Sequence, residues 1–192
     1  MVLSRSWYGS HSFLNDYILL NKCRMIMEIG VADGENAKNM VITASNNFPV
    51  WEVEYYGFDI FGWNGDSHMN RVMTKLKATG CIFKLFKGDS TITLPEVVEN
   101  PPMMDLIFID GGHSYPTVIR DWENSKNLMH DETAVFFHNY NFSGPKRVVD
   151  GISRDEYDVK IIYPPSNSFT ALVKKKFQGK NNKKQNRKTV KK

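Results

Sequence analysis

The sequence predicts an α/β fold: a mostly parallel seven-stranded sheet that closes in a C-terminal antiparallel hairpin, with helices on both faces. Seven short runs rich in β-branched and aromatic residues carry this reading, and the first five are spaced widely enough to leave room for a helix between neighbours. Met25–Ile29 and Leu106–Ile109 are nearly continuous apolar runs, which is what strands covered on both faces require, so both belong mid-sheet. Val159–Tyr163 and Phe169–Val173 are separated only by Pro164–Ser168, too short for a crossover, so they pair antiparallel.

Taken in order, a helix is expected over Ser12–Leu20 and the first strand over Arg24–Ile29. The next strands are Glu54–Asp59, Ile82–Lys87, Leu106–Asp110 and Ala134–His138. Helices are expected over Glu35–Asn46, Asn70–Thr79, Thr91–Glu99 and Tyr115–Met129. The last of these has Val118, Trp122, Ser125 and Met129 on one face, Ser114 placed as its cap and Pro116 in its first turn. Gly62–His68 and Asn139–Pro145 are turn-rich loops that follow strand ends. In open parallel sheets ligands bind beyond the carboxyl ends of the strands, so both loops point at the ligand face.

The chain has 192 residues, 41% hydrophobic and 24% charged, enough for one domain with a sizeable core. The expected division is an N-terminal helical segment or lid over 1–23, a catalytic domain over 24–176 and a disordered tail over 177–192. Lys174–Lys192 holds 10 of the 25 Lys and Arg and no acid, which leaves 15 basic against 21 acidic residues, about −6, on the rest. The result is an acidic body with a basic tail. The tail has almost no apolar content to offset ordering entropy; it suits a solubilising role or a polyanion such as nucleic acid. No apolar run approaches the ~20 residues of a membrane span, and the N-terminus lacks the apolar core of a secretory signal, so a soluble, cytoplasmic protein is expected. The Asn- and Lys-rich usage is that of an AT-rich coding sequence such as a virus or phage carries. Cys23 and Cys81 read as reduced core residues, with no disulfide framework or metal cluster.

The chemistry lies at the strand tips. The first strand runs into Glu28-Ile29-Gly30-Val31-Ala32-Asp33-Gly34, a turn whose small residues let backbone approach a ligand at a helix N-terminus. Its spacing is not the dinucleotide pattern G-x-G-x-x-G, which disfavours hydride transfer. The second strand ends in Asp59, 25 residues after Gly34, where a carboxylate accepts hydrogen bonds from ribose hydroxyls. The third ends in Lys87-Gly88-Asp89-Ser90, the fourth in Asp110-Gly111-Gly112-His113 and the fifth in His138-Asn139-Tyr140.

With EIGVADG, YGFDIF, KGDSTITLP and LIFIDGGHSY in this order and spacing, the region from Met25 to Lys174 resembles the class I S-adenosylmethionine-dependent methyltransferases. FIDGGHSYPTVIRDW, AVFFHNY and GPKRVVDGI look most like the small O-methyltransferases of the sugar, secondary-metabolite and catechol type. The resemblance implies the Rossmann-like class I methyltransferase fold and S-adenosyl-L-methionine as cofactor. Residue by residue, it implies that Gly30, Ala32 and Gly34 line the methionine part, Glu28 orients its amino group, and Asp59 holds the ribose beside Ile60. Asp89 and Ser90 would meet the adenine, and Asp110 would lie under the sulfonium. Ala32 stands where the usual turn has its central glycine; its methyl group permits the same approach if φ is negative.

Methyl transfer to a hydroxyl requires alignment and a base. His113 stands where catechol-type relatives carry theirs, and imidazole titrates in the useful range; the other reading of His113 is a loop or helix-capping role. Relatives usually read His-Asp where this chain has His138-Asn139. A Mg²⁺ or Mn²⁺ site from Asp110, His138 and Asn139 would therefore lack one carboxylate and hold its ion more weakly. Tyr115 and Tyr140 are candidates for shaping the acceptor pocket. Acceptor specificity is expected in the Ser4–Tyr17, Gly62–Asn70 and Asn139–Lys146 segments. The expected partner is a small-molecule or glycan acceptor, with no membrane. The alternatives are a nucleic-acid methyltransferase using the basic tail, and a cofactor-binding scaffold whose Asn139 marks lost catalysis.

Overall fold

The computed structural model describes residues 11–62, 66–97, 102–163 and 168–176. The expected tail over 177–192, the first ten residues of the N-terminal segment and the tip of the Gly62–His68 loop lie outside the described residues. The elements are α1 (Ser12–Asn21), β1 (Met25–Ile29), α2 (Glu35–Ala44), β2 (Glu54–Asp59), α3 (Asp66–Lys77), β3 (Ile82–Lys87), α4 (Ser90–Val97), β4 (Met104–Ile109), α5 (Tyr115–Ser125), β5 (Met129–Phe137), α6 (Ser143–Gly151), β6 (Tyr157–Ile162) and β7 (Thr170–Lys175). Single 3-10 turns, Val50–Glu52 and Lys126–Leu128, precede β2 and β5.

The strands form one sheet in the order β3-β2-β1-β4-β5-β7-β6. β1 to β5 run parallel, and β7 lies antiparallel between β5 and β6. Chain order reverses between β1 and β4, and that switch point opens a crevice at the strands' carboxyl ends. Successive side chains of a strand face opposite ways. Met27 and Ile29, Ile107 and Ile109, Val135 and Phe137 therefore pack with Leu94, Val118, Trp122 and Val148 of α4, α5 and α6. Ile26, Leu106, Phe108, Ala134 and Phe136 pack on the other face with Leu14 and Ile18 of α1, Met40 of α2 and Val72 of α3. Among the described residues, no helix is long and apolar enough to cross a membrane.

Ser114 caps α5, its Oγ accepting from Thr117 N at 3.3 Å, with Pro116 in the first turn. α5 stops at Ser125, short of the expected Met129, because Met129 opens β5 and pairs with Met104 across an irregularity at Asp105. The Asp105 carboxylate occupies that gap, accepting from the backbone N–H of Arg24 and Met25 and lying 3.0 Å from His130 Nε2. Periodicity alone reads Met129 as the next helical turn; sheet pairing overrides it. α3 begins four residues before the expected Asn70, with Asp66 in its first turn, where a carboxylate complements the helix dipole. α6 was not anticipated, since Ser-Gly-Pro reads as loop. Pro145 falls in the first turn, where a missing N–H costs nothing, and Val148 and Val149 are buried.

Candidate active site

The strand ends surround a cavity of about 770 Å³, in the upper part of the ~300–1,000 Å³ range of ligand pockets. Of the cofactor, catalytic and metal residues named from the sequence, Glu28, Gly30, Ala32, Asp59, Ile60, Asp89, Ser90, Asp110, His113, His138 and Asn139 line it, and Gly34 does not.

The turn after β1 is held against β4. Gly30 has φ +90°, and a Cβ there would lie 2.2 Å from the Asp110 carbonyl oxygen, so only glycine fits. Ala32 has φ 48°, not the negative value expected, so this alanine sits in the left-handed region at roughly 1–2 kcal/mol. Asp59 offsets that strain: its Oδ2 accepts from Val31 N at 2.9 Å and Ala32 N at 3.0 Å, while Oδ1 accepts from Phe61 N at 2.7 Å. Three of a carboxylate's roughly four acceptor positions are thus committed to backbone N–H groups, two in the turn and one at Phe61, which leaves one for a ligand.

Glu28 is buried below this turn. Its Oε1 accepts from Asn36 Nδ2 at 2.7 Å and its Oε2 from the Tyr55 hydroxyl. Burial pushes its pKa up to about 8, against the pull of those two hydrogen bonds. Asn36 also lines the cavity, and its Oδ1 is buried without a partner. Together they fit an ammonium group, such as the amino group of a bound amino-acid moiety.

At the opposite end, Asp89 Oδ1 accepts from Thr91 N at 2.9 Å and caps α4, and Ser90 Oγ donates to Asp121 Oδ1 at 2.7 Å. Asp121 is fully buried on the inner face of α5, with Oδ2 unpartnered, and burial raises its pKa to about 6. Ile60 is 67% exposed and leaves an apolar surface at the cavity rim.

The tips of β4 and β5 gather imidazoles around one carboxylate. Asp110 Oδ1 lies 2.7 Å from His138 Nδ1 and 3.9 Å from His113 Nε2. Burial works to raise the Asp110 pKa, but His113, His138 and His11 outweigh it and hold the carboxyl below its usual range. His11, at the start of α1, packs edge-on to His138 with ring centroids 4.7 Å apart and lies 5.1 Å from the Phe108 ring. Burial, then the neighbouring His138, lowers its pKa to about 4, so its ring is neutral. His113 packs edge-on to Phe142 at 5.0 Å. The start of α6 fixes the His113 loop, since a Cβ on Gly144 would lie 2.0 Å from the His113 carbonyl oxygen. Asn139 has φ 52°, and its Nδ2 donates to Ser168 Oγ at 3.2 Å. Tyr140 N donates to the Phe169 carbonyl at 2.8 Å, and Phe169 N to Asn141 Oδ1 at 3.2 Å, so the loop after β5 is stapled to the start of β7.

Tyr115 and Tyr140 do not line the cavity: Tyr115 lies under the Arg147 guanidinium and the Tyr140 hydroxyl donates to Asp150. His11, His68 and Phe142 line the cavity from within the segments expected to set acceptor specificity, though none was singled out there; Asn36, in the wall, and Asp121, behind Ser90, were not anticipated. His68 Nε2 lies 2.5 Å from the Ala32 carbonyl oxygen, tying α3 to the turn. Asp121 was legible, as an acid on the same helical face as Val118 and Ser125; His11 stands in no motif.

A family model described as a methyltransferase domain matches residues 27–140, and the chain belongs to that family. It is a class I, S-adenosylmethionine-dependent methyltransferase. Its fold is shared with the O-methyltransferase TomG from Streptomyces achromogenes, solved with S-adenosylmethionine (15% identity, 85% of this chain and 78% of that one, TM-score 0.69). It is also shared with an O-methyltransferase from Bacillus cereus bound to S-adenosylhomocysteine (16%, 88% and 83%, 0.69). A third such structure is CalS11, a TDP-rhamnose 3'-O-methyltransferase of calicheamicin biosynthesis (18%, 84% and 75%, 0.69). Among curated proteins, none matches the sequence significantly.

Proposed function

We propose that this enzyme methylates a hydroxyl of a small polyhydroxylated acceptor, a sugar or glycan unit, with His113 as the general base. The observation that carries the reading is the meeting of His113, Asp110 and His138 at one end of a cavity whose other wall is the Gly30–Asp59 turn. The sugar methyltransferase CalS11 shares the fold and supports the acceptor class.

Bound S-adenosylmethionine supplies a methyl group on a positively charged sulfur. Glu28 and Asn36 would hold its amino group, Asp59 one ribose hydroxyl, and Asp89, Ser90 and Ile60 its base. His113 Nε2 takes the acceptor's hydroxyl proton as the oxygen–carbon bond forms and the sulfur–carbon bond breaks, and Asp110 at 3.9 Å stabilises the resulting imidazolium. A divalent ion held at Asp110 and His138 would lower the acceptor's own pKa. The experiment is calorimetric titration with S-adenosylhomocysteine followed by transfer of labelled methyl to a panel of hydroxylated sugars. We expect binding, and turnover that falls ~10²-fold or more in His113→Ala with cofactor affinity unchanged. Full turnover by that variant would return His113 to a structural role; no transfer to any hydroxylated acceptor would overturn the acceptor class.

A further inference from the structure

We propose that His11, Asp110 and His138 form a binding site for a nitrogen-preferring transition-metal dication of the zinc class, at the acceptor end of the cavity. The proposal rests on the reading above only for what the ion would act upon.

One ligand atom from each of the three residues lies within 4.8 Å of the other two. Ligand atoms around a four-coordinate zinc ion stand about 3.4 Å apart, so closure needs a shift of little more than an ångström in side chains at one cavity wall. The set is two imidazoles and one carboxylate. Catalytic zinc sites use that set and leave a further position open, and here all three residues face the cavity, so the open position faces the acceptor. Mg²⁺ prefers an all-oxygen shell at octahedral spacing, which a set with two imidazoles does not supply. The donor set therefore selects against Mg²⁺ and for ions high in the divalent affinity order.

His11 is built into this position. It precedes α1, whose Leu14 and Ile18 are fully buried, and its ring is wedged between His138, Phe108 and Phe13. An arm outside the family-matched residues 27–140 thus brings a third ligand to the tips of β4 and β5. One hydroxyl of a sugar would complete the four-coordinate shell, with His113, 3.9 Å from Asp110 and outside the triad, placed to take its proton.

The test uses the full chain after chelator treatment. Co²⁺ is titrated in, followed by its visible ligand-field absorption, with Zn²⁺ and a large excess of Mg²⁺ as competitors. Expected are one equivalent of Co²⁺, displacement by Zn²⁺ and none by Mg²⁺. His11→Phe keeps the aromatic packing on Phe108 and removes the ligand; its Co²⁺ affinity should fall by more than the ~10–100-fold that loss of a ligand's hydrogen-bond partner costs. No absorption, displacement by Mg²⁺, or undiminished affinity in a His11→Phe protein that still binds S-adenosylhomocysteine would each overturn the site. Titration of the same samples with S-adenosylhomocysteine separates the two claims. Cofactor binding without cobalt sinks the metal site alone, whereas cobalt without cofactor sinks the proposed function.

Discussion

Replacing Glu28 by glutamine isolates the protonation of one buried carboxyl. Glutamine matches the neutral acid in shape, and its Oε1 still accepts from Asn36 Nδ2. Burial raises the Glu28 pKa from 4.5 to about 8, so the folded protein holds the proton more tightly than the unfolded chain. The stability this confers is complete below the unfolded value and is lost as pH rises through the folded one. Within that window the loss is about 1.4 kcal/mol per pH unit, or about 3 kcal/mol between pH 5.5 and 7.5. For a chain of this length that corresponds to roughly 5–10 °C in melting temperature. Wild type and Glu28→Gln melted across this range should therefore diverge, the variant gaining steadily on the wild type as pH rises. A bound ammonium favours the carboxylate, so saturating S-adenosylhomocysteine should flatten the wild-type slope, and calorimetry in buffers of different ionisation heat should record proton release on binding. Parallel pH profiles for the two proteins would refute the argument, for they would mean that Glu28 ionises near its ordinary value despite its burial.

Asp59→Ala removes the acceptor of three backbone N–H groups and, on the proposed function, the residue that would hold the ribose; S-adenosylhomocysteine affinity should fall ~100-fold with about 2 kcal/mol or more of stability, and unchanged affinity in calorimetry would confine Asp59 to shaping the turn. Ala32→Gly relieves a left-handed alanine and should raise stability by up to about 1 kcal/mol, net of the extra freedom of the unfolded chain; a lower denaturation midpoint would show that the methyl contributes packing that outweighs the strain. Asp121→Asn keeps the bond from Ser90 but cannot ionise, so its stability should fall less than the wild type's as pH rises from the ordinary carboxylate value through about 6, where the wild type loses the benefit of its raised pKa; identical denaturation profiles would remove Asp121 as a neutral buried acid.

The sheet was legible because its signal is local. Glu54–Asp59 and Ile82–Lys87 form strands with the expected bounds, and the buried runs at Met25–Ile29 and Leu106–Ile109 are neighbours at the centre. The strand-tip residues were legible for a related reason: a parallel sheet brings all its carboxyl ends to one side, so polar tips far apart in sequence meet there. What escaped depends on contacts that no spacing records. Met129 continues a helical pattern but answers to Met104 across the sheet. Ala32 takes a positive φ because Asp59, 27 residues on, holds its N–H. His11 joins Asp110 only through the packing of α1, whose burial the sequence indicates but whose docking it does not.

The staple between the loop after β5 and the start of β7 makes the C-terminal hairpin a gauge for the catalytic mouth. Asn139, Tyr140 and Asn141 are all anchored to Ser168 or Phe169, so the height at which His138 and Phe142 stand over the cavity is set by the start of β7. Inserting or deleting residues between β6 and β7 should therefore shift His138 and Phe142 relative to the Gly30–Asp59 half of the cavity.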